Sequence, residues 1–433
     1  MPSAAFTTLG CKVNQYETQR ILQDFEAAGW QIVPFEGPAD VYVINTCSVT
    51  SDAERKSRYT IRRAARFNEE AKIVVTGCAA QMSLNKREEV EGAHLVVPNP
   101  EKLETFARFS QAFPETRVVV RRDLPQTSVT SRTRATVKVQ DGCSIHCSYC
   151  SIPHTRPGMV SRPATEVLAE IESLRDQGYL EVVLTGVLIG AYGPETGSGG
   201  PDFEELVEMI ADTCIPRVRI SSIEMRQVTP RLVRLIQVGK VVPHLHVPLQ
   251  SGDTGVLKDM NRPYSQDDYL QLCRQLLIDI PDLAITADIM VGFPTETEER
   301  FQSSLHVAEQ VGYLKVHAFT FSPRFGTVAD QWGDPVPPQE KAERRLRLMA
   351  IANRTGEEFR RRFVGRVMRV LVEGKVGKDG LLEGLTDNYL TVKFAGAADM
   401  LRTIQWVRLD EERGGTLFGE VVPEGTPSNL RII

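Results

Sequence analysis

The stretch Val137-Lys-Val-Gln-Asp-Gly142, followed at once by Cys143-Ser-Ile-His-Cys147-Ser-Tyr-Cys150, governs how the rest of the chain is read. The β-branched run predicts a strand, and three cysteines at CxxxCxxC spacing occupy the loop after it. Three thiolates on one tight loop can hold three corners of a cubic 4Fe–4S cluster. No fourth cysteine lies nearby, so the fourth iron keeps an open coordination position, as catalytic metal sites do. A loop at the C-terminal end of a parallel-barrel strand is also where such barrels carry their active sites. The alternatives are inert buried thiols or a closed zinc site with His146 or His154 as its fourth ligand.

On either side of this loop the pattern is α/β. Ala135–Val139 opens a series of candidate strands continued by Glu181–Leu184, Val218–Ile220, Leu245–Val247, Ile285–Ile289 and Lys315–Phe319, with helical stretches between them. Six strands with helical crossovers predict a partial (βα)6 barrel. Before it, Ala4–Leu9, Val41–Ile44 and Lys72–Val75 read as strands. Helices are expected over Asn14–Ala28, Ser51–Phe67 and near Leu84–Glu91, which makes an N-terminal parallel-sheet domain. After it, Gln339–Arg362 reads as a basic helix. Val367–Val372, Leu390–Phe394, Thr403–Val407 and Thr416–Val422, separated by glycine turns, predict a small C-terminal β-barrel. The expected division is 1–116, a basic linker 117–134, the barrel 135–335, the basic helix 336–363 and the β-barrel 364–433.

The 433 residues are 42% hydrophobic and 25% charged, with a net charge of −5. That balance excludes a disulfide miniprotein, a fibre and a mainly disordered chain. No uncharged apolar run approaches the ~20 residues that a membrane helix needs. Met1–Lys12 runs into a strand-like segment with no basic start, so a cytoplasmic location is expected and the eight cysteines should be reduced.

Cys11, Cys47 and Cys78 each follow an apolar strand of the first domain: Phe6-Thr-Thr-Leu-Gly-Cys11, Val43-Ile-Asn-Thr-Cys47 and Val74-Val-Thr-Gly-Cys78. Parallel strands end on one edge of a sheet, so the three cysteines are expected in one crevice as a second cluster site. The plainer alternative is three small buried hydrophobes. Cys214 and Cys273 follow no such pattern and read as ordinary thiols.

The CxxxCxxC loop, with Tyr149 before its last cysteine, resembles the signature of the radical S-adenosylmethionine (SAM) superfamily. The resemblance implies that the open iron chelates SAM and that one electron cleaves the sulfonium to give a 5′-deoxyadenosyl radical. Two three-cysteine sites on one chain resemble the methylthiotransferase family, with its N-terminal methylthiotransferase domain, radical SAM barrel and C-terminal TRAM β-barrel. Thr8-Leu-Gly-Cys-Lys-Val-Asn-Gln-Tyr-Glu17 looks most like the branch acting on tRNA N6-threonylcarbamoyladenosine. Family members commonly carry Tyr-Cys-Ile-Ile-Pro-Tyr-Ala-Arg-Gly near the radical cluster. Here Tyr149-Cys-Ser-Ile-Pro-His-Thr-Arg-Pro157 keeps Pro153 and Arg156 but changes Ser151 and His154.

The resemblance implies two 4Fe–4S clusters, an auxiliary one on Cys11, Cys47 and Cys78 and a radical one on Cys143, Cys147 and Cys150. It implies SAM contacts from Tyr149, Thr185, Gly186, Ser221, Glu224, Gln250, Ser251, Gly292 and Phe293. The reaction implied is methylthiolation at carbon 2 of an adenosine beside the anticodon, with two SAM, an electron donor such as flavodoxin or ferredoxin, and a sulfur donor that the sequence does not identify. Rival substrates are isopentenyladenosine in tRNA and a ribosomal-protein aspartate. A different class is a non-enzymatic iron–sulfur carrier or RNA-binding protein. No acid or base residue stands out, and a monomer is expected.

RNA binding needs a local cationic surface on this acidic chain. Lys341–Arg366 carries eight arginines and one lysine against three glutamates. Arg117–Arg134 adds five arginines, and Arg55, Lys56, Arg58, Arg62, Arg63 and Arg66 line the helix after Cys47. A solvated charged helix is the bland alternative. The expected tRNA contacts are Arg55, Arg58, Arg344, Arg345 and Arg361.

Overall fold

The computed structural model describes residues 1–116, 133–193 and 200–427. The chain divides into two compact units. The first is assembled from Met1–Thr130, Asp141–Met159 and Ser322–Gln331, the second from Ser131–Gln140, Val160–Phe321 and Trp332–Ile433. The cysteine loop at Cys143–Cys150 therefore packs with the N-terminal sheet. The consecutive division expected from sequence assigns it to the barrel.

In the first unit, strands β1 (Ser3–Thr8), β2 (Gln31–Val33), β3 (Val41–Thr46), β4 (Lys72–Gly77) and β5 (Leu95–Val96) form a parallel sheet of order β2-β1-β3-β4-β5. β3 is buried along its whole length, as a central parallel strand covered on both faces must be. Alternate residues serve opposite cores. Val41 and Val43 join Ile21, Phe25, Trp30 and Phe109, while Tyr42 and Ile44 join Phe35, Ile61 and Ile73. Helices α1 (Lys12–Ala27), α2 (Ser51–Phe67), α3 (Cys78–Lys86) and α4 (Thr105–Ala112) cover the sheet. The helix expected near Leu84–Glu91 instead begins at Cys78, where Gly77 turns the chain at a φ of +96°. It ends at a left-handed Arg87. β2 and β5 are too short, at three and two residues, to show alternation in the sequence.

The second unit holds all six expected barrel strands: β6 (Ala135–Lys138), then, after the short β7 (Gln140–Asp141) and β8 (Val160–Ser161), β9 (Glu181–Thr185), β10 (Arg217–Ile220), β11 (His244–His246), β12 (Ala284–Val291) and β13 (Lys315–Thr320). They form two three-stranded parallel sheets, β10-β9-β6 and β11-β12-β13. Single backbone hydrogen bonds join the sheets, Ile223 N–H to His246 O at 3.0 Å and Val242 N–H to Val218 O at 3.0 Å. The basic helix spans Pro338–Arg361. β14 (Val367–Val376), β15 (Leu382–Thr386), β16 (Thr391–Phe394), β17 (Ile404–Arg413) and β18 (Thr416–Val421) close a five-stranded barrel. β15 was not read from sequence because Gly384 interrupts it. A side chain there would meet Leu371 O at 2.5 Å, so the close approach of β14 requires glycine. Of the basic connector Arg117–Arg134, residues 117–132 lie outside the described residues, and Arg134 pairs with Glu373 at 2.8 Å.

The β-barrel and the strand starts share a buried ionic lock. Glu181 accepts from Arg219 Nε at 2.8 Å, and Arg217 Nε lies 3.0 Å from both Glu181 and Asp387. Arg217 also donates to Thr386 O at 2.7 Å. Tyr389 stacks on His244 with ring centroids 4.4 Å apart, which makes His244 a core histidine. Burial would raise the Glu181 carboxyl, but Arg219 and Arg217 hold it below the usual range. A depressed folded pKa contributes stability above the unfolded value, about 4.3, that is lost as pH falls through the folded one. Glu181→Gln should cost about 3–5 kcal/mol, because it removes the buried carboxylate that two buried guanidiniums share. Hydrogen exchange at the β9 and β10 amides checks this, with wild type losing its protection only at more acidic pH.

Candidate metal centre

Cys11, Cys47 and Cys78 follow β1, β3 and β4, three adjacent parallel strands, so they emerge on one sheet edge. Cys11 is the N-cap of α1, and Cys78 is the first residue of α3. A helix N-terminus favours a thiolate through its dipole and unpaired N–H groups. Gly10 (φ +95°) and Gly77 (φ +96°) turn the chain from strand into cysteine. A Cβ on Gly10 would lie 2.6 Å from Cys47 Sγ, which shows how closely the strand ends approach. Thr46 Oγ1 donates to Thr76 O at 2.6 Å, and Ser57 of α2 ties to Cys47 N and O at 3.3 Å each.

Cys47 and Cys78 are buried, and Cys11 keeps an accessible face. Burial raises the Cys47 thiol to about 11, with the neighbouring thiols of Cys78 and Cys11 pushing the same way. Despite its open face, Cys11 is surrounded mostly by protein, whose desolvation also raises its thiol, and Arg156 opposes this. The trio thus interacts electrostatically, and Arg156 acts on the same thiols.

The loop of Cys143, Cys147 and Cys150 belongs to the same unit. Gly142 (φ +79°) has no room for a side chain, since a Cβ would meet Gly158 O at 1.6 Å. That contact closes the base of the loop, and Cys150 N–H bonds Cys147 O at 3.0 Å. Asn99 Nδ2 donates to Thr155 O at 2.7 Å and lies 3.9 Å from Cys78 Sγ, and Asn85 of α3 donates to His154 O at 2.8 Å.

Arg156 joins the two cysteine sets. Its Nη1 and Nη2 each donate to Glu17 at 2.9 Å. Nη1 also reaches both Asp141 oxygens at 2.8 Å, and Nη2 reaches Asn14 Oδ1 at 2.8 Å. Lys102 Nζ donates to Glu17 at 2.7 Å. Arg156, Glu17, Asn14 and Lys102 are all buried. Burial opposes the charge on Arg156, but Glu17 and Asp141 hold it firmly protonated. Sequence reading missed this network, although Asn14 and Glu17 share the α1 face of Ile21 and Phe25. Polar residues at core-facing positions were the available signal.

Among the described residues no three His, Cys, Asp or Glu side chains converge tightly enough for one metal ion. A cubane takes one thiolate per iron corner and spreads its ligands further. Both trios fit that requirement in residue type. The chain supplies three cysteines at each place and a compensating cation between them.

The expected SAM residues lie in the second unit, apart from Tyr149 on the loop. Thr185 ends β9, and Ser221 donates to its hydroxyl at 3.3 Å. Gly186 follows β9 and packs against Gln140, and Glu224 pairs with Arg262. Gln250, at a φ of +66°, carries a buried Oε1 with no hydrogen-bond partner among the described residues. Ser251 and Phe293 have 0% exposure. Phe293 is enclosed edge-on by Phe321 at 5.3 Å and Trp332 at 5.7 Å. Gly292 N–H is bonded to Glu296 at 2.6 Å.

One RNA expectation fails. Arg344 is only 2% exposed and binds Glu296 at 2.9 Å, with Glu340 beside it. A neutralised, buried guanidinium cannot meet a phosphate. Arg55, Arg58, Arg345 and Arg361 are exposed.

Residues 3–97 match the family model described as "Uncharacterized protein family UPF0004", and residues 137–308 match the radical SAM superfamily. The chain is 37% identical over 426 residues to the threonylcarbamoyladenosine tRNA methylthiotransferase MtaB of Bacillus subtilis, covering 94% of each protein. The Thermotoga maritima protein of the same name is 35% identical over 404 residues, covering 92% of each. This chain belongs to the radical SAM tRNA methylthiotransferase family. The tRNA-2-methylthio-N(6)-dimethylallyladenosine synthase of Staphylococcus aureus is 32% identical over 438 residues, covering 97% of this chain and 85% of that protein. In fold, the chain is similar to the radical SAM methyltransferase TsrM of Kitasatospora setae, with a TM-score of 0.56, 15% identity and coverage of 76% and 77%. Members of this methylthiotransferase family are enzymes that use SAM and 4Fe–4S chemistry on tRNA.

If Arg156 holds the family's two cysteine sets in one frame, Arg156→Met and Glu17→Gln should each lower the opening free energy of the first unit by about 3–5 kcal/mol, because each strands a buried charge. The double variant should lose clearly less than the sum. Hydrogen exchange of the β1, β3 and β4 amides in the metal-free chain reads both, and strict additivity would show that the pair does not act as one.

Proposed function

We propose that this chain methylthiolates carbon 2 of N6-threonylcarbamoyladenosine next to the anticodon in tRNA, using two SAM and two 4Fe–4S clusters. The observation that carries the reading is the delivery of Cys11, Cys47 and Cys78 to one sheet edge in the compact unit that also holds Cys143, Cys147 and Cys150. Cys143, Cys147 and Cys150 are the ligands of the radical cluster, and Cys11, Cys47 and Cys78 those of the sulfur-bearing one. When bound, the clusters and SAM supply one-electron cleavage, the methyl group and the sulfur.

The chain's own residues position and enclose. Asn14, Glu17 and Arg156 fix the loop segment next to α1. Thr185, Ser221, Glu224 and Gln250 offer hydroxyl, carboxylate and amide groups for the polar ends of SAM. Arg55, Arg58, Arg345 and Arg361 offer phosphate contacts, which dominate RNA affinity. An electron donor of the flavodoxin or ferredoxin kind and a separate sulfur source complete the reaction, and the reading includes a cytoplasmic monomer. No helix of the described residues is long and apolar enough to cross a membrane.

Identity of 37% to MtaB of Bacillus subtilis, against 32% to the dimethylallyladenosine synthase, favours the threonylcarbamoyl substrate over the isopentenyl one. Mass spectrometry of nucleosides from a deletion strain tests it. The methylthio form of threonylcarbamoyladenosine should vanish while the isopentenyl counterpart stays. Complementation with Cys47→Ala should fail to restore it, although that variant still releases 5′-deoxyadenosine from SAM in vitro. Cys147→Ala should lose both. Unchanged nucleosides would end the substrate assignment, and absence of 5′-deoxyadenosine from wild type would favour a carrier.

A further inference from the structure

α2 begins shortly after Cys47 and packs through Ser57, Ile61 and Ala64. Tyr59 is not part of that face and stands 62% exposed. Its ring sits in a cationic field. Arg55 and Lys56 lie one turn before it, Arg62 and Arg63 one turn after, and Arg66 two turns after. Arg55, Arg58 and Arg62 have side-chain exposures of 73%, 58% and 57%. They rest on Asp52, Glu54 and Glu91 at 2.7, 2.9 and 2.7 Å. Surface pairs of this kind are worth little and are readily exchanged for phosphate.

Nothing in the folding of α2 requires an aromatic at this position. The helix is capped by the Thr50 side chain, which accepts from Ala53 N–H, and its apolar contacts are complete without Tyr59. Phe325, the other large exposed aromatic among the described residues of this unit, carries Lys86 Nζ over its ring at 5.4 Å. Among the described residues no ring or cation sits over Tyr59. An open aromatic face flanked by arginines at helical spacing is the arrangement that stacks unpaired bases and tracks their phosphates. Tyr59 lies eight residues into α2, about 12 Å of helix rise from its start.

We propose that Tyr59 is a stacking platform for an unpaired base of the substrate RNA, with Arg55, Arg62 and Arg66 meeting the flanking phosphates. The inference rests on the reading that the substrate is an RNA loop and assigns a place where that loop is held. The charge decides the partner class, since a net-basic face with a bare ring suits a polyanion that carries π-faces.

The test is fluorescence anisotropy with the full chain, anaerobically prepared and holding its clusters, on an anticodon stem-loop RNA and on a fully paired duplex of equal length. Tyr59→Ala should weaken stem-loop binding about 5- to 100-fold, the range for losing one stacked base, and leave duplex binding unchanged. Tyr59→Phe and Tyr59→Trp should bind as wild type, because they keep the π-face. The salt dependence should be unaltered in Tyr59→Ala and reduced by about one phosphate's worth in Arg62→Ala. An unchanged stem-loop affinity in Tyr59→Ala overturns the inference and leaves the proposed function standing. Equal loss on loop and duplex, or a Tyr59→Phe variant as weak as Tyr59→Ala, also overturns it. Displacement of the stem-loop by a polyglutamate peptide at comparable affinity would assign the face to an acidic protein instead. Wild type that fails to bind the stem-loop defeats both readings.

Discussion

Arg156 donates to Glu17 and Asn14 on α1, the helix that begins beside Cys11, and to Asp141, just ahead of Cys143. One buried cation therefore satisfies groups on both cysteine-bearing segments at once. Burying a charge is costly unless it is paired and hydrogen-bonded, and here the pairing is bidentate on Glu17 and doubled on Asp141. The segment that carries the radical-type cysteines cannot leave the N-terminal sheet without separating that cation from Glu17 and Asn14. Arg156 also opposes the rise that burial imposes on the Cys11 and Cys47 thiols. The residue that joins the two segments thus also eases the placement of negative sulfur at the sheet edge.

Backbone geometry does the rest. Gly10, Gly77 and Gly142 each precede a cysteine at positive φ, with contacts that leave no room for a side chain at Gly10, Gly77 or Gly142. Parallel strands supply the coincidence of position, and the strand-to-helix turns supply N-termini suited to thiolates. The second unit offers a half-open barrel whose strand ends carry hydroxyl, amide and carboxylate groups, and a small β-barrel locked to it through Glu181, Arg217 and Asp387.

Much of this could be read from residue order. The six barrel strands follow from apolar runs with helical crossovers, and the shared sheet edge of Cys11, Cys47 and Cys78 from three runs that end in the same way. Readings failed where distant contacts override local pattern. Arg344 sits in a basic run that looks solvated, yet Glu296, far away in sequence, takes it into the interior. Gly384 hid a strand because its reason lies on a neighbouring strand. Arg156 was visible as a kept motif residue, but its role depends on Glu17, which only the fold brings within reach.

The most direct check is the iron and acid-labile sulfide content of anaerobically prepared chain, with electron paramagnetic resonance, for wild type and for two triple variants. Wild type should hold about eight irons, two cubanes' worth. The Cys11→Ala/Cys47→Ala/Cys78→Ala chain and the Cys143→Ala/Cys147→Ala/Cys150→Ala chain should each keep about half, with distinguishable reduced spectra. A wild type with a single cubane, or an early-trio variant that keeps its full iron, would contradict the two-site arrangement.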